Sequence, residues 1–258
     1  MNSAWLVRHA PRPQARARLF CFPYAGVGGS VYRLWPVGLP VELEVCAVQL
    51  PGRENRLRET AVSSIPELVE LLVPALSPYL DRPFAVFGHS MGAVLASEFV
   101  RALAVSGGPL PRHLIVSGRR PPHIPGLESS LHGLPDAEFV AEINQRYGGI
   151  PAAVMEHADL VELLLPSLRA DMRAIETHRP PPRPPLPCPI AVFAGSHDRL
   201  TPRDHLEAWR GETLNTFRVR VFPGDHFYLN VCRHDVLADL SATLAPMIEA
   251  AYSGEVVK

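Results

Sequence analysis

Phe84-Ala85-Val86-Phe87-Gly88-His89-Ser90-Met91-Gly92 is the stretch on which the reading of this chain turns. Its first four residues form a short apolar run of the kind that makes a buried strand. Met91 to Val105 then continues in Ala, Leu and Val, as a helix packed beside a sheet does. Between them Gly88-His89-Ser90-Met91-Gly92 has the G-x-S-x-G pattern of a nucleophile elbow, in the strand-to-helix setting the motif needs. A turn that tight leaves no room for side chains at Gly88 and Gly92. It would lift the Ser90 hydroxyl above the sheet and turn the backbone N–H of Met91, at the positive end of a helix, toward an incoming oxyanion.

Outward from the elbow, apolar runs alternate with helical periodicity, the pattern of crossover units that build a mostly parallel sheet flanked by helices. Strands are expected at Arg18 to Phe22, Leu43 to Val48, His113 to Ser117, Ile190 to Phe193 and Phe217 to Phe222, with the elbow strand at Phe84 to Phe87. Ser64 and Glu67 form a capping box for a helix whose apolar face runs from Ile65 to Leu80, with Pro74 expected to kink or shorten it. Arg203 to Trp209 and Asp235 to Ala250 complete the alternation, with Pro246 blurring the end of the last helix.

One stretch breaks this rhythm. From Arg119 to His178 strand signals vanish, and two helical patterns, Asp136 to Tyr147 and Ala158 to Glu176, are separated by Gly148, Gly149 and Pro151. The division expected is a core of residues 1–118 and 179–258 and a helical insertion of residues 119–178. The proline-rich return from Arg179 to Pro189 is read as a stiff connector.

Composition narrows the class. The 258 residues are 47% hydrophobic and 20% charged, with 25 Lys+Arg against 26 Asp+Glu. Such a chain is too apolar to be disordered, despite its 28 prolines, and too evenly charged for a general attraction to nucleic acid or anionic membrane. Cys21, Cys46, Cys188 and Cys232 are scattered, without metal-ligand or disulfide-framework spacing. No apolar run approaches the length of a membrane span, and the first ten residues lack a secretory core. A soluble cytoplasmic protein with no metal is the expectation.

A serine hydroxyl needs a base, and the base needs a carboxylate to orient it. Asp198 falls in the loop after the Ile190 strand and His226 in the loop after the Phe217 strand, in the chain order Ser, Asp, His that a G-x-S-x-G elbow demands. Asp204 and Asp225 are the alternative carboxylates. His89, His197, His205 and His234 are read as surface or capping histidines. The second oxyanion donor is sought in Phe22-Pro23-Tyr24-Ala25-Gly26-Val27-Gly28-Gly29, with Ala25 preferred and Tyr24 second. The G-x-G-G spacing and the intruding Pro23 and Tyr24 argue against a dinucleotide loop.

Together, Phe22-Pro23-Tyr24-Ala25-Gly26, the Ser90 elbow, Gly195-Ser196-His197-Asp198, Gly224-Asp225-His226-Phe227 and Leu50-Pro51-Gly52-Arg53-Glu54 resemble the type II thioesterases of polyketide synthases and nonribosomal peptide synthetases. Two departures concern loop shape: Arg199-Leu200 follows the aspartate where many relatives have a proline, and Val27 separates Gly26 from Gly28. The resemblance implies an α/β-hydrolase fold with a helical lid over the site. It also implies hydrolysis of acyl thioesters held on the phosphopantetheine arm of an acyl or peptidyl carrier protein. No further cofactor and a monomeric enzyme are expected. Leu131, Phe139, Ile143, Leu163, Leu164 and Leu168 are candidates for the wall of an acyl chamber. Arg119, Arg120, Arg169, Arg173, Arg179 and Arg183 are near or within the insertion and would suit a basic entrance, but a solvated helix face is the commoner explanation for such a series, and docking residues stay unassigned. An oxyester hydrolase shares the same machinery. A non-catalytic acyl-binding module, by contrast, is expected to have lost part of it.

Overall fold

The computed structural model describes residues 3–126, 129–148, 150 and 152–253, so Gly149 and Pro151 lie outside the described residues. Among the described residues seven strands form one sheet: β1 (Leu6–Val7), β2 (Ala17–Phe22), β3 (Leu43–Val48), β4 (Phe84–His89), β5 (Leu114–Ser117), β6 (Ile190–Gly195) and β7 (Phe217–Phe222). They lie in the order β1-β3-β2-β4-β5-β6-β7, with β1 antiparallel to β3 and every other pair parallel. Strands β2 to β6 are buried along their whole length, which is why they read as continuous apolar runs rather than alternations. The two-residue β1 is the one strand the sequence reading lacked.

Successive residues of each strand feed opposite faces of the sheet. Phe20, Phe22, Cys46 and Val86 join one hydrophobic layer, and Leu19, Cys21, Ala47 and Phe87 join the other. The first layer is closed by α1 (Ile65–Leu76) and α2 (Met91–Val105). Ser64 caps α1 by accepting the Glu67 N–H at 3.4 Å, and Ile65, Leu68, Leu72 and Leu76 are buried. The helix passes through Pro74 and stops at Leu76, short of the Leu80 that the apolar pattern had suggested. Burial of a side chain such as Phe99 of α2 contributes about 1.5–3 kcal/mol.

Between β5 and β6 come α3 (Asp136–Tyr147), α4 (Ala152–Met155) and α5 (Ala158–Thr177). Helix α3 ends at Gly148, whose φ of 63° is the left-handed conformation that glycine adopts freely. Arg169 of α5 lies 4.3 Å from the Phe139 ring of α3 and donates to the carbonyls of His132 and Leu134, each at 2.7 Å. The connector back to β6 is pinned to α2: Arg183 forks onto Glu98, and Arg101 donates to Pro184 O at 2.6 Å. Burial raises the Glu98 carboxyl, but hydrogen bonds from Arg183 and His178 outweigh it and bring the pKa down to about 2. Arg169 and Arg183 are thus engaged with internal partners, and Arg120 is buried with its Nε on Ile124 O. Half of the candidate basic entrance is structural.

The chain then adds α6 (Arg203–Glu207), running into a 3-10 turn at Ala208–Glu212, followed by α7 (Tyr228–Val231) and α8 (Arg233–Ser253). Helix α8 continues through Pro246 and covers the second layer with Val236, Leu240 and Leu244. Cys21, Cys46 and Cys188 are buried and unpaired, and burial lifts the thiols of Cys46 and Cys188 to about 12. Among the described residues no helix is long and apolar enough to cross a membrane.

Candidate active site

The elbow forms as its small residues require. A Cβ on Gly88 would stand 2.1 Å from Gly92 O, and one on Gly92 would stand 2.1 Å from Phe22 O. Ser90 itself takes φ 54°, ψ −115°, a backbone conformation that costs a non-glycine residue on the order of 1–3 kcal/mol and persists only where the surroundings enforce it. Its N–H is held by Ser117 O at 2.8 Å. Met91 is the first residue of α2, so its N–H belongs to the turn that has no intrahelical acceptor. Ala25 lies at the cavity wall beside Ser90.

Asp198 and His226, from the loops after β6 and β7, meet with Nδ1 and Oδ2 2.8 Å apart. Asp198 also accepts the Leu200 N–H and the Thr201 hydroxyl, each at 2.9 Å. Burial alone would raise its carboxyl, but the His226 bond, with help from Leu200 and Thr201, holds it below the usual carboxylate range. The carboxylate therefore keeps its charge and fixes the imidazole with Nε2 on the far side. That Nε2 is buried and has no hydrogen-bond partner, so no bond to Ser90 Oγ is made here, although both residues line one cavity. Leu200, at the departure from the family pattern, supplies one of the bonds that orient Asp198.

The competing residues sit elsewhere. Asp225 is exposed and accepts the N–H of Phe227 at 2.8 Å, and Asp204 is exposed in the first turn of α6. His197 and His234 are exposed, and His205 is half-buried. His89 corrects the expectation of a surface or capping histidine. It is fully buried, its Nδ1 lies 2.8 Å from Ser117 Oγ, which is 2.6 Å from the Tyr228 hydroxyl, and its ring lies 4.9 Å from that of His226. Burial, then the neighbouring His226, keeps its pKa far below the usual imidazole range, so it stands neutral beside His226. An x position inside G-x-S-x-G carries no signal of this.

The cavity above Ser90 has a volume of about 270 Å³ and walls that are almost wholly apolar. Ile143, Leu164 and Leu168 line it, as expected, together with Tyr147 of α3, whose ring is 5.6 Å from that of His226. Leu131, Phe139 and Leu163 do not line it. The first two are completely buried among the helices, and Leu163 is 48% exposed on the outer face of α5. For Phe139 and Leu163, helical period marked an apolar position without telling which flank faced the cavity. Among the described residues no cluster of His, Cys, Asp and Glu could hold a metal ion.

The chain and its fold have known counterparts. The RedJ thioesterase of the prodiginine biosynthetic pathway in Streptomyces coelicolor is 42% identical and superimposes with a TM-score of 0.84, covering 90% of this chain and 92% of that one. The type II thioesterase BorB from the borrelidin biosynthetic cluster is 34% identical, also with a TM-score of 0.84, covering 95% and 98%. The gramicidin S biosynthesis protein GrsT of Aneurinibacillus migulanus is 38% identical over 248 residues, 95% of this chain and 96% of that protein. The fold is that of the α/β-hydrolases, and residues 17–244 match the thioesterase domain family. The chain belongs to the thioesterase family.

Proposed function

We propose that the protein is a type II editing thioesterase. It removes acyl groups from the phosphopantetheine arm of acyl or peptidyl carrier proteins of a polyketide or nonribosomal peptide synthase. The observation that carries the chemistry is the 2.8 Å contact between Asp198 and His226, with a buried, unpartnered Nε2 in the cavity that Ser90 also lines. Similar solved structures from nonribosomal peptide synthetase/polyketide synthase pathways support the substrate class.

In this reading the Ser90 hydroxyl gives its proton to His226 Nε2 as the oxygen attacks the thioester carbon. The N–H groups of Met91 and Ala25 receive the oxyanion, and Asp198 stabilises the imidazolium. Collapse breaks the carbon–sulfur bond, and the proton on Nε2 passes to the leaving sulfur. Water then enters, loses a proton to Nε2 and attacks the acyl-serine. The second collapse frees the carboxylic acid and returns the proton to Ser90 Oγ. Residues 119–178 act as a lid, and their apolar wall takes an uncharged acyl chain. The enzyme works as a monomer in the cytoplasm, visits its carriers in turn, and needs no cofactor beyond the arm its substrate brings.

The test is hydrolysis of a short acyl-carrier substrate and its matched oxyester by the parent and by Ser90→Ala. The expected loss of kcat in the variant is on the order of 10⁶-fold. Parent-like turnover by Ser90→Ala would refute the mechanism. A parent that prefers the oxyester would move the substrate class to small esters.

A further inference from the structure

Asp171 is a carboxylate set into the apolar side of α5, between Leu168 and Met172, which line the cavity. Its side chain is fully buried, a position that is costly for a charge without partners. Both of its partners lie outside residues 119–178. Arg53, in the Leu50 to Glu54 segment after β3, forks onto it, with Nη1 on Oδ2 and Nη2 on Oδ1. Oδ2 also accepts the N–H of Gly26 at 2.8 Å.

Gly26 directly follows Ala25, the proposed oxyanion donor, and has φ 81°. An N–H anchored at Gly26 fixes the peptide plane between the two residues, to which the Ala25 N–H in the preceding plane is tied through φ and ψ of Ala25 alone. Arg53 steadies the same loop through a long Nη1 contact to Val27 O at 3.5 Å and is itself tied to Pro51 O at 3.2 Å. Gln49 donates to Arg53 O at 3.1 Å and accepts the Gly29 N–H at 2.8 Å. The loop is therefore gripped at Gly26, Val27 and Gly29. The pairing also settles the local charge, because a lone carboxylate here would repel a developing oxyanion and Arg53 cancels that field.

We infer that Asp171, clamped by Arg53, is a positioning residue for the oxyanion loop, so that part of α5 belongs to the rate-determining machinery as well as to the chamber. The inference rests on the acyl-transfer reading of Ser90, His226 and the Ala25 N–H given above.

Asp171→Asn separates the alternatives by sign. It leaves Arg53 positive beside the loop, so a purely electrostatic role predicts a faster reaction and a positioning role a slower one. On a small acyl thioester kcat should fall about 10- to 100-fold with KM within about twofold. A trifluoromethyl ketone analogue, whose tetrahedral adduct uses the same donors, should lose affinity by the same factor. The double variant Arg53→Met/Asp171→Leu removes both charges at once and should keep the low kcat even where its Tm matches the parent. A kcat within about twofold of the parent in either folded variant overturns the inference. If neither folds, hydrogen exchange at the Gly26 amide of the parent decides. Exchange as slow as at the centre of the sheet supports the clamp, and exchange at the rate of an open loop overturns it. Ser90→Ala keeps the two readings apart: an inactive Ser90→Ala beside a fully active Asp171→Asn removes only the clamp, whereas an active Ser90→Ala removes the catalytic assignment beneath it.

Discussion

At the start of α2 a methyl group added to Gly92 would stand 2.1 Å from a backbone oxygen, while across the cavity α5 presents the flexible ends of Leu164, Leu165 and Leu168. The first region has no slack, because backbone presses on backbone and neither surface can turn aside. The second has a great deal, because leucines change rotamer for a fraction of the energy of moving a strand. On the proposed mechanism the contrast separates two tasks of one site: bond-making geometry falls to the rim of the sheet, and the fit of the acyl group to the helices over it.

The contrast can be broken in three places. The largest effect is expected for Asp198→Asn, which leaves the rim intact but gives His226 the wrong hydrogen-bond partner. It should lower kcat by about 10⁴-fold on every acyl group alike. A loss below tenfold would make a rim side chain as replaceable as a chamber side chain. Next comes Gly92→Ala, which drives a methyl group into Phe22 O and Pro23 O. Its unfolding free energy should drop by about 4 kcal/mol or more in a denaturant titration, the range reserved for strain and clashes that cannot relax. The smallest effect is that of Leu164→Phe in the chamber wall. It should shift the ratio of kcat/KM between hexanoyl and acetyl thioesters by roughly tenfold toward acetyl, with no change in reaction of Ser90 with a small fluorophosphonate. If both thioesters slowed equally, the chamber and the rim would not be separable.

The same contrast explains what could be read from the sequence. Gly88, Ser90 and Gly92 were legible because a backbone constraint leaves few permitted residues at fixed spacing. The parallel strands were legible because burial on both faces writes an unbroken apolar run. Leu6–Val7 was not, since two residues on an antiparallel edge carry no period. Asp198 and His226 could be found because each ends a crossover unit. His89 could not, since its role depends on Ser117 and Tyr228, which reach it from β5 and α7. The Arg53–Asp171 pair was hidden for a related reason. Its members are 118 positions apart, and an aspartate on an amphipathic helix ordinarily faces water. Phe139 and Leu163 show the limit of helical period, which marks apolar positions on a helix but not which of them meet the cavity.

The clasp of Arg183 on Glu98 bears on how a bulky thioester gets in. The return strap is riveted to α2 and Asp171 is bolted down nearby, so if residues 119–178 act as the proposed lid, their trailing half is the anchored one. Glu98 stays ionised down to about 2, so mild acid does not undo the rivet. A lineage could therefore enlarge or shrink the vestibule by substitutions early in the cover and inherit the turnover chemistry unchanged.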